Sequence, residues 1–358
     1  MANHQILGKR DMLIPNRLLL TCINQISHSI NPVQAKMTDK RFCYAPHMSG
    51  PKTDPNCSRR AFLASAAATG VIATTNLKSA IPPSLNRVQG TKKYLKAVKY
   101  GMIGVGSSVL EKFQAIKELG FDGVELDSPN GLKLDEVLAA RDQTNLPIHG
   151  VVDSAHWGKP FSHPNATVRA EGLLALQTAI RDCKSYGGST VLVVPAVVTK
   201  EISYAKAWQR SQKEIAKALP LAEELGIKIA FENVWNNFLL SPLEMAQYID
   251  SFKSKMVGAY LDVGNLVRYA WPEHWVEVLQ SRILKIDVKG YSRKLQNEKG
   301  PWKGFQVPIG EGDCDWPTIL THLQKVGFEG WFTAEVGGGD KKRLEDIAAA
   351  MDRIMASP

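Results

Sequence analysis

Four acidic residues stand at comparable points of four short apolar runs. Glu232 follows Ile-Lys-Ile-Ala-Phe, Asp262 follows Val-Gly-Ala-Tyr-Leu, Asp287 follows Ile-Leu-Lys-Ile, and Glu335 follows Gly-Trp-Phe-Thr-Ala. Each run is rich in β-branched, aromatic or aliphatic residues, as a buried strand requires, and each opens into a loop-like stretch. Carboxylates that converge on one point repel one another and raise one another's pKa unless a cation neutralises them. The spacing therefore predicts one divalent metal ion held by Glu232, Asp262, Asp287 and Glu335. An all-oxygen donor set favours Mn or Mg, with Co or Zn left open. Further polar residues near the ends of such runs are candidates for contacting a substrate. They are Glu125, His149, Asn265 and Lys289, together with Trp157 in the Asp-Ser-Ala-His-Trp-Gly loop.

The elements that must position these groups alternate along the chain. Apolar runs fall at 97–104, 121–127, 146–152, 189–198, 227–233, 256–262, 283–289 and 330–336. Segments with helical spacing lie between them, most clearly at 108–119, 203–225, 242–252 and 316–326. Gly120, Gly226 and Gly327 sit where a helix would hand over to the next strand, a C-cap signal. The strands read as near-continuous apolar stretches, which fits burial on both faces. Eight strand–helix units over 97–355 match a single α/β domain, a closed (β/α)8 TIM barrel. The rival is an open doubly wound sheet. It would carry a glycine-rich loop after its first strand, and Gly101-Met102-Ile103-Gly104-Val105-Gly106 is a weak match. In a barrel the strand ends form the active face, which is where the four acids fall.

On these residues the chain resembles the xylose-isomerase-like sugar isomerase/epimerase barrels, which include ketose 3-epimerases, ribulose-phosphate 3-epimerases and hydroxypyruvate isomerase. The resemblance spans about 97–355 and implies a metal-dependent reaction through a cis-enediolate on a keto- or aldo-sugar. It implies that Glu232 and Glu335 are the catalytic pair, touching the metal and moving the proton, and that Arg293 contacts substrate. The chain departs from the pattern at several places. Asp287 holds the position of a ligand histidine, Asn265 stands where many members have a second histidine, and Phe238 lies near another family glutamate.

The N-terminal segment reads differently. Residues 1–80 hold ten Lys/Arg against three Asp/Glu, leaving 34 against 32 in the remainder. The net charge of +9 thus belongs mostly to the N-terminus, and the near-neutral remainder offers no nucleic-acid face. Cys22, Cys43 and Cys57 lie in that segment too, so Cys183 and Cys314 alone make neither a disulfide scaffold nor a zinc cluster. Ser58-Arg59-Arg60-Ala61-Phe62-Leu63, followed by an Ala-rich stretch, resembles a twin-arginine export signal. The expectation is a signal and linker at 48–84, with 1–47 a start-site artefact or disordered. The protein would engage the export machinery transiently and work in the periplasm or elsewhere outside the cytoplasm.

Export favours a non-phosphorylated sugar. The competing readings are a lyase or hydrolase acting on an oxidised sugar or glycoside, and a non-catalytic sugar-binding protein. His149 reads either as a core histidine or as a substrate contact, and Lys289 either as an electrophile or as an ion-pair partner. A homo-oligomer is compatible with all of these.

Overall fold

A computed structural model describes residues 92–356. The twin-arginine signal and the start-site expectation lie outside the described residues.

Eight strands run in chain order: β1 Tyr94–Lys99, β2 Gly123–Ser128, β3 Ile148–Asp153, β4 Thr190–Val193, β5 Lys228–Glu232, β6 Val257–Asp262, β7 Ile283–Val288 and β8 Gly330–Ala334. Each pairs in parallel with the next, and β8 returns to β1, closing the barrel. Helices cover the outside. Ser108 and Ser241 start two of them with capping boxes, each hydroxyl accepting from the backbone N–H three residues on while Glu111 or Glu244 reaches back. Gly226 ends helix Leu219–Leu225 at φ +68°, a left-handed conformation that a side chain would strain.

Strand periodicity sorts the side chains. Phe231, Leu261, Ile286 and Ala334 face the continuous apolar shell between strands and helices. Their neighbours turn inward. Ala230 and Tyr260 join Leu192 in a small cluster inside the barrel. Two residues further along the same face come Glu232 and Asp262, so alternation alone delivers the acids to the barrel mouth.

Three departures from the sequence expectation exceed a residue or two at a strand end. The first strand is Tyr94–Lys99, not 97–104, because a tight 3-10 turn follows at Tyr100–Met102; the barrel accordingly begins before 97. The fourth strand stops at Val193, short of 198, two residues before Pro195. The stretch 203–225 is two helices, Tyr204–Ala216 and Leu219–Leu225. Pro220 cannot accept helix geometry over the carbonyl four residues back, at Ala216.

Candidate metal centre

The barrel brings the four acids together. One carboxylate oxygen from each of Glu232, Asp262, Asp287 and Glu335 lies within 4.8 Å of the others. The side chains of Asp262 and Asp287 are fully buried, while that of Glu335 is 31% exposed and faces the mouth. Asp262 and Asp287 are register partners on β6 and β7.

Asp262 is held on several sides. It caps helix Val263–Val267 by accepting from the Asn265 backbone N–H at 2.9 Å, and the Asn265 side-chain amide donates to its other oxygen at 2.6 Å. The same amide reaches Glu232 at 3.5 Å. Asn233 on the β5 side braces the Asp262 backbone, donating to its carbonyl at 2.7 Å and accepting from its N–H at 2.9 Å.

Two ammonium groups enter the cluster. Lys289 Nζ lies 2.5 Å from Asp262 Oδ2 and 2.6 Å from Glu335 Oε2. Lys99 Nζ lies 3.1 Å from Glu335 Oε1, 3.2 Å from Asp287 Oδ2 and 3.4 Å from Glu125 Oε2. With Glu125, five carboxylates against two ammonium groups leave an excess of three negative charges when all are ionised. Burial pushes the Glu232 carboxyl well up, and repulsion from Glu335 adds to it. Burial likewise raises Asp287, which Lys99 opposes and the neighbouring acids reinforce. Burial alone would raise Glu335 too, but Lys99 and Lys289 beside it hold it well below the carboxylate range. Asp287 Oδ1 is buried without a hydrogen-bond partner. Four hard oxygen donors, a residual negative charge and an orphaned ligand atom fit a divalent cation.

Lys99 is the member that the sequence reading missed. Placing the end of the first strand at 104 hid the fact that Lys99 is the last residue of β1. The available signal was a lysine inside an apolar run.

The other expected site residues fall in three places. Glu125 and His149 lie inside the barrel, beneath the acids. Glu125 Oε1 accepts from Tyr260 Oη at 3.0 Å. Both His149 ring nitrogens are engaged, Nδ1 with Lys285 Nζ at 2.8 Å and Nε2 with Thr333 Oγ1 at 3.2 Å, and the ring stacks on Trp331. Burial, then Lys285 and Lys99, hold its pKa well below the usual histidine value, so it is neutral. Asn265 and Lys289 touch the acids directly. Arg293 instead donates to the carbonyls of Val267 and Ala270 at 2.9 and 2.7 Å and lies over Trp271. Among the described residues no ion pair joins it to the four acids. Trp157 is exposed at the mouth side of β3 and meets the buried His156 edge-on. Asp340 caps the last helix, Lys341–Met355; just before it, Gly339 pairs with Ile103, and Gly338 lies too close to the Met102 backbone for a side chain.

The family model for xylose isomerase-like TIM barrels matches residues 113–356. The chain belongs to the xylose isomerase-like TIM barrel family. Among members of known name, the L-ribulose-5-phosphate 3-epimerase UlaE of Escherichia coli O1:K1 / APEC is 24% identical over 266 residues, covering 70% of this chain and 90% of UlaE. Solved structures share the barrel. A D-psicose 3-epimerase with D-tagatose, from Clostridium cellulolyticum H10, superposes with a TM-score of 0.60 at 17% identity, covering 74% of this chain and 99% of its own. The 3-keto-D-glucoside 4-epimerase YcjR from E. coli does so with a TM-score of 0.58 at 16% identity, covering 73% and 98%.

Proposed function

We propose that this xylose isomerase-like barrel is a divalent-metal-dependent isomerase-class enzyme that epimerises or isomerises a non-phosphorylated keto- or aldo-sugar. The observation that carries the reading is the meeting of Glu232 and Glu335 with Asp262 and Asp287 in one buried carboxylate cluster. The names of the relatives, sugar 3-epimerases and a keto-glucoside 4-epimerase, support the same class of chemistry.

A cation bound by the four carboxylates would supply Lewis-acid polarisation of a sugar carbonyl and its neighbouring hydroxyl. The protein's own groups do the rest. Glu232 ends β5 and Glu335 follows β8, so the two carboxylates approach from strands that are not neighbours. One carboxylate takes the proton from the carbon beside the carbonyl, giving an enediolate, and the other returns a proton to the opposite face. Lys289 and Lys99, both paired with Glu335, bring positive charge into the site where negative charge would develop on the substrate oxygens. The apolar shell keeps solvent from the base of the site.

Solvent deuterium incorporation tests the reaction. With Mn2+ and a panel of keto- and aldo-sugars, both free and as glycosides or reducing disaccharides, exchange at a carbon beside the carbonyl, with the skeleton intact, is the expected result. Release of an aglycone would move the assignment to a lyase or hydrolase, and a protein inert to the whole panel would remove the enzymatic reading. Export by the twin-arginine route is proposed on Ser58 to Leu63 alone. A reporter fused after residue 84 should leave the cytoplasm, and Arg59→Lys with Arg60→Lys should retain it there.

A further inference from the structure

Beside the acids, the loop after β7 presents an exposed tryptophan on a rigid support. Trp302 is 73% exposed, although it lies in a 3-10 turn, Pro301–Phe305, that is firmly tied down. Tyr291 Oη donates to the Pro301 carbonyl at 2.9 Å, and the Ser292 N–H donates to the Gly304 carbonyl at 2.8 Å. The Tyr291 ring fills the space that a side chain at 304 would need.

One face of the Trp302 ring is occupied. Its centroid lies 4.6 Å from that of Trp235, which is itself stacked 5.0 Å from Phe305. Trp235 is anchored by its indole N–H on the Asn265 carbonyl at 2.9 Å and carries the Arg268 guanidinium 4.4 Å from its ring. Trp302 is the exposed ring of this aromatic group, whose other two members are half-buried. The group is also continuous with the acids: Lys289 Nζ lies 5.8 Å from the Phe305 ring and 2.5 Å from Asp262.

A contiguous exposed apolar group, as Trp302, Trp235 and Phe305 form, marks an interaction site where a lone exposed ring would not. Ligand sites combine such apolar walls with a few placed polar groups. The C–H face of a pyranose is apolar while its rim is hydroxylated, which matches an indole whose supporting rings, Trp235 and Phe305, carry the cations Arg268 and Lys289. The acids hold the reacting ring, so a ring over Trp302 is a second one.

We infer that Trp302, backed by Trp235 and Phe305, is the platform of a second sugar-ring subsite, and that the substrate is a glycoside or disaccharide rather than a free monosaccharide. This rests on the reading of the four acids as a sugar site.

Calorimetric titration of the full chain in Mn2+ tests it, using cellobiose, maltose, sucrose and trehalose, each against its component monosaccharides. At least one disaccharide should bind tenfold or more tightly than its parts. Trp302→Ala should remove that advantage and leave monosaccharide affinity within twofold, and Trp302→Phe should retain most of it. Equal affinities in the wild-type protein, no binding by any of these sugars, or an advantage that survives Trp302→Ala would overturn the subsite. So would light scattering showing that Trp302→Ala breaks an oligomer without altering sugar affinity. Failure of deuterium exchange with the disaccharide preference intact would sink the epimerase reading and leave the subsite standing.

Discussion

Lys99 Nζ, at the end of β1, lies 3.2 Å from Asp287 Oδ2, at the barrel-facing end of β7. The pair spans the gap left by β8, and Lys99 also reaches Glu335, which follows that strand. Asp287 stands where the resembling ketose 3-epimerases have a neutral ligand histidine, so it adds one negative charge to the cluster. Lys99 adds one positive charge against it. The two charges compensate locally.

Removing one partner of a buried pair leaves an uncompensated charge and costs about 3–5 kcal/mol. Lys99→Met should therefore lower stability by that order in EDTA. Asp287→His in the same chain should recover much of the loss, because it removes the extra acid. Denaturant unfolding of the two single variants and the double variant measures the coupling. Additive effects would show that Lys99 and Asp287 do not compensate each other.

A cation bound to the folded state alone raises stability by RT ln(1 + [L]/Kd), about 2.7 kcal/mol at a hundredfold excess over Kd. Mn2+ should raise the Tm of the wild-type protein by several degrees over EDTA. Asp262→Asn and Asp287→Asn should each lose most of that rise. A Tm indifferent to Mn2+, Mg2+, Co2+ and Zn2+ would remove the metal from the account of the site.

Asp153 ends β3 in a buried position, with Oδ1 accepting from the Ala155 N–H at 3.1 Å and Oδ2 without a partner. Burial pushes its carboxyl up to about 7, against one stabilising backbone hydrogen bond. The folded state thus holds this proton more tightly than the unfolded chain, whose value is about 3.9. The contribution is complete below the unfolded value and lost as pH rises through about 7. At 1.36 kcal/mol per unit, the swing is about 4 kcal/mol. The stability of the wild-type protein relative to Asp153→Asn should fall by that order between about pH 4 and 8. Parallel stability curves for the two proteins would show that Asp153 titrates normally.

The barrel was legible because burial on both faces writes itself into every strand as a continuous apolar run, and because an acid that ends such a run has few places to go. The acids converge for the simple reason that Ala230 and Glu232, or Tyr260 and Asp262, share one face of a strand. What stayed hidden depends on where a strand stops and what lies opposite. Lys99 looked like mid-strand polarity because the backbone turns at Tyr100, sooner than the apolar pattern ends. His149 stayed open between a core and a substrate-contacting role because its partners, Lys285 and Thr333, come from strands more than a hundred residues away. Arg293 kept the family spacing, yet the carbonyls of Val267 and Ala270 lie within its reach, and no local pattern reports them.

The paired glutamates give the sharpest kinetic expectation. Positioned proton transfer contributes about 10²–10⁴ to the rate. Glu232→Gln and Glu335→Gln should each lower kcat within that range while keeping the fold, since both replacements preserve shape. If one glutamate serves each face of the enediolate, the two variants should also differ in isotope behaviour. The variant that keeps the proton-abstracting base should still exchange solvent deuterium into substrate, without forming the epimer. Loss of exchange in both would instead mean that one carboxylate does all the proton transfer and the other only holds the cation.

Asn265 provides the test of how tightly the site is built. Its side-chain amide donates to Asp262 Oδ2 at 2.6 Å and to the Asn233 carbonyl at 3.1 Å, and it reaches Glu232 at 3.5 Å. It thus fixes two expected ligands relative to each other from outside the ligand set. Partners of this kind typically account for 10–100-fold in metal affinity. Asn265→Ala should weaken Mn2+ binding by that factor in a calorimetric titration. It should leave Mn2+ stoichiometry at saturation unchanged, because all four carboxylates remain. Asn265→Asp separates orientation from charge: it keeps the size but replaces a donor with a fifth acid. If positioning is what matters, Asn265→Asp should destabilise the metal-free protein more than Asn265→Ala does. Tighter Mn2+ binding in Asn265→Asp would show that added charge outweighs the lost hydrogen bonds, and that the four acids need no outside support to hold their geometry.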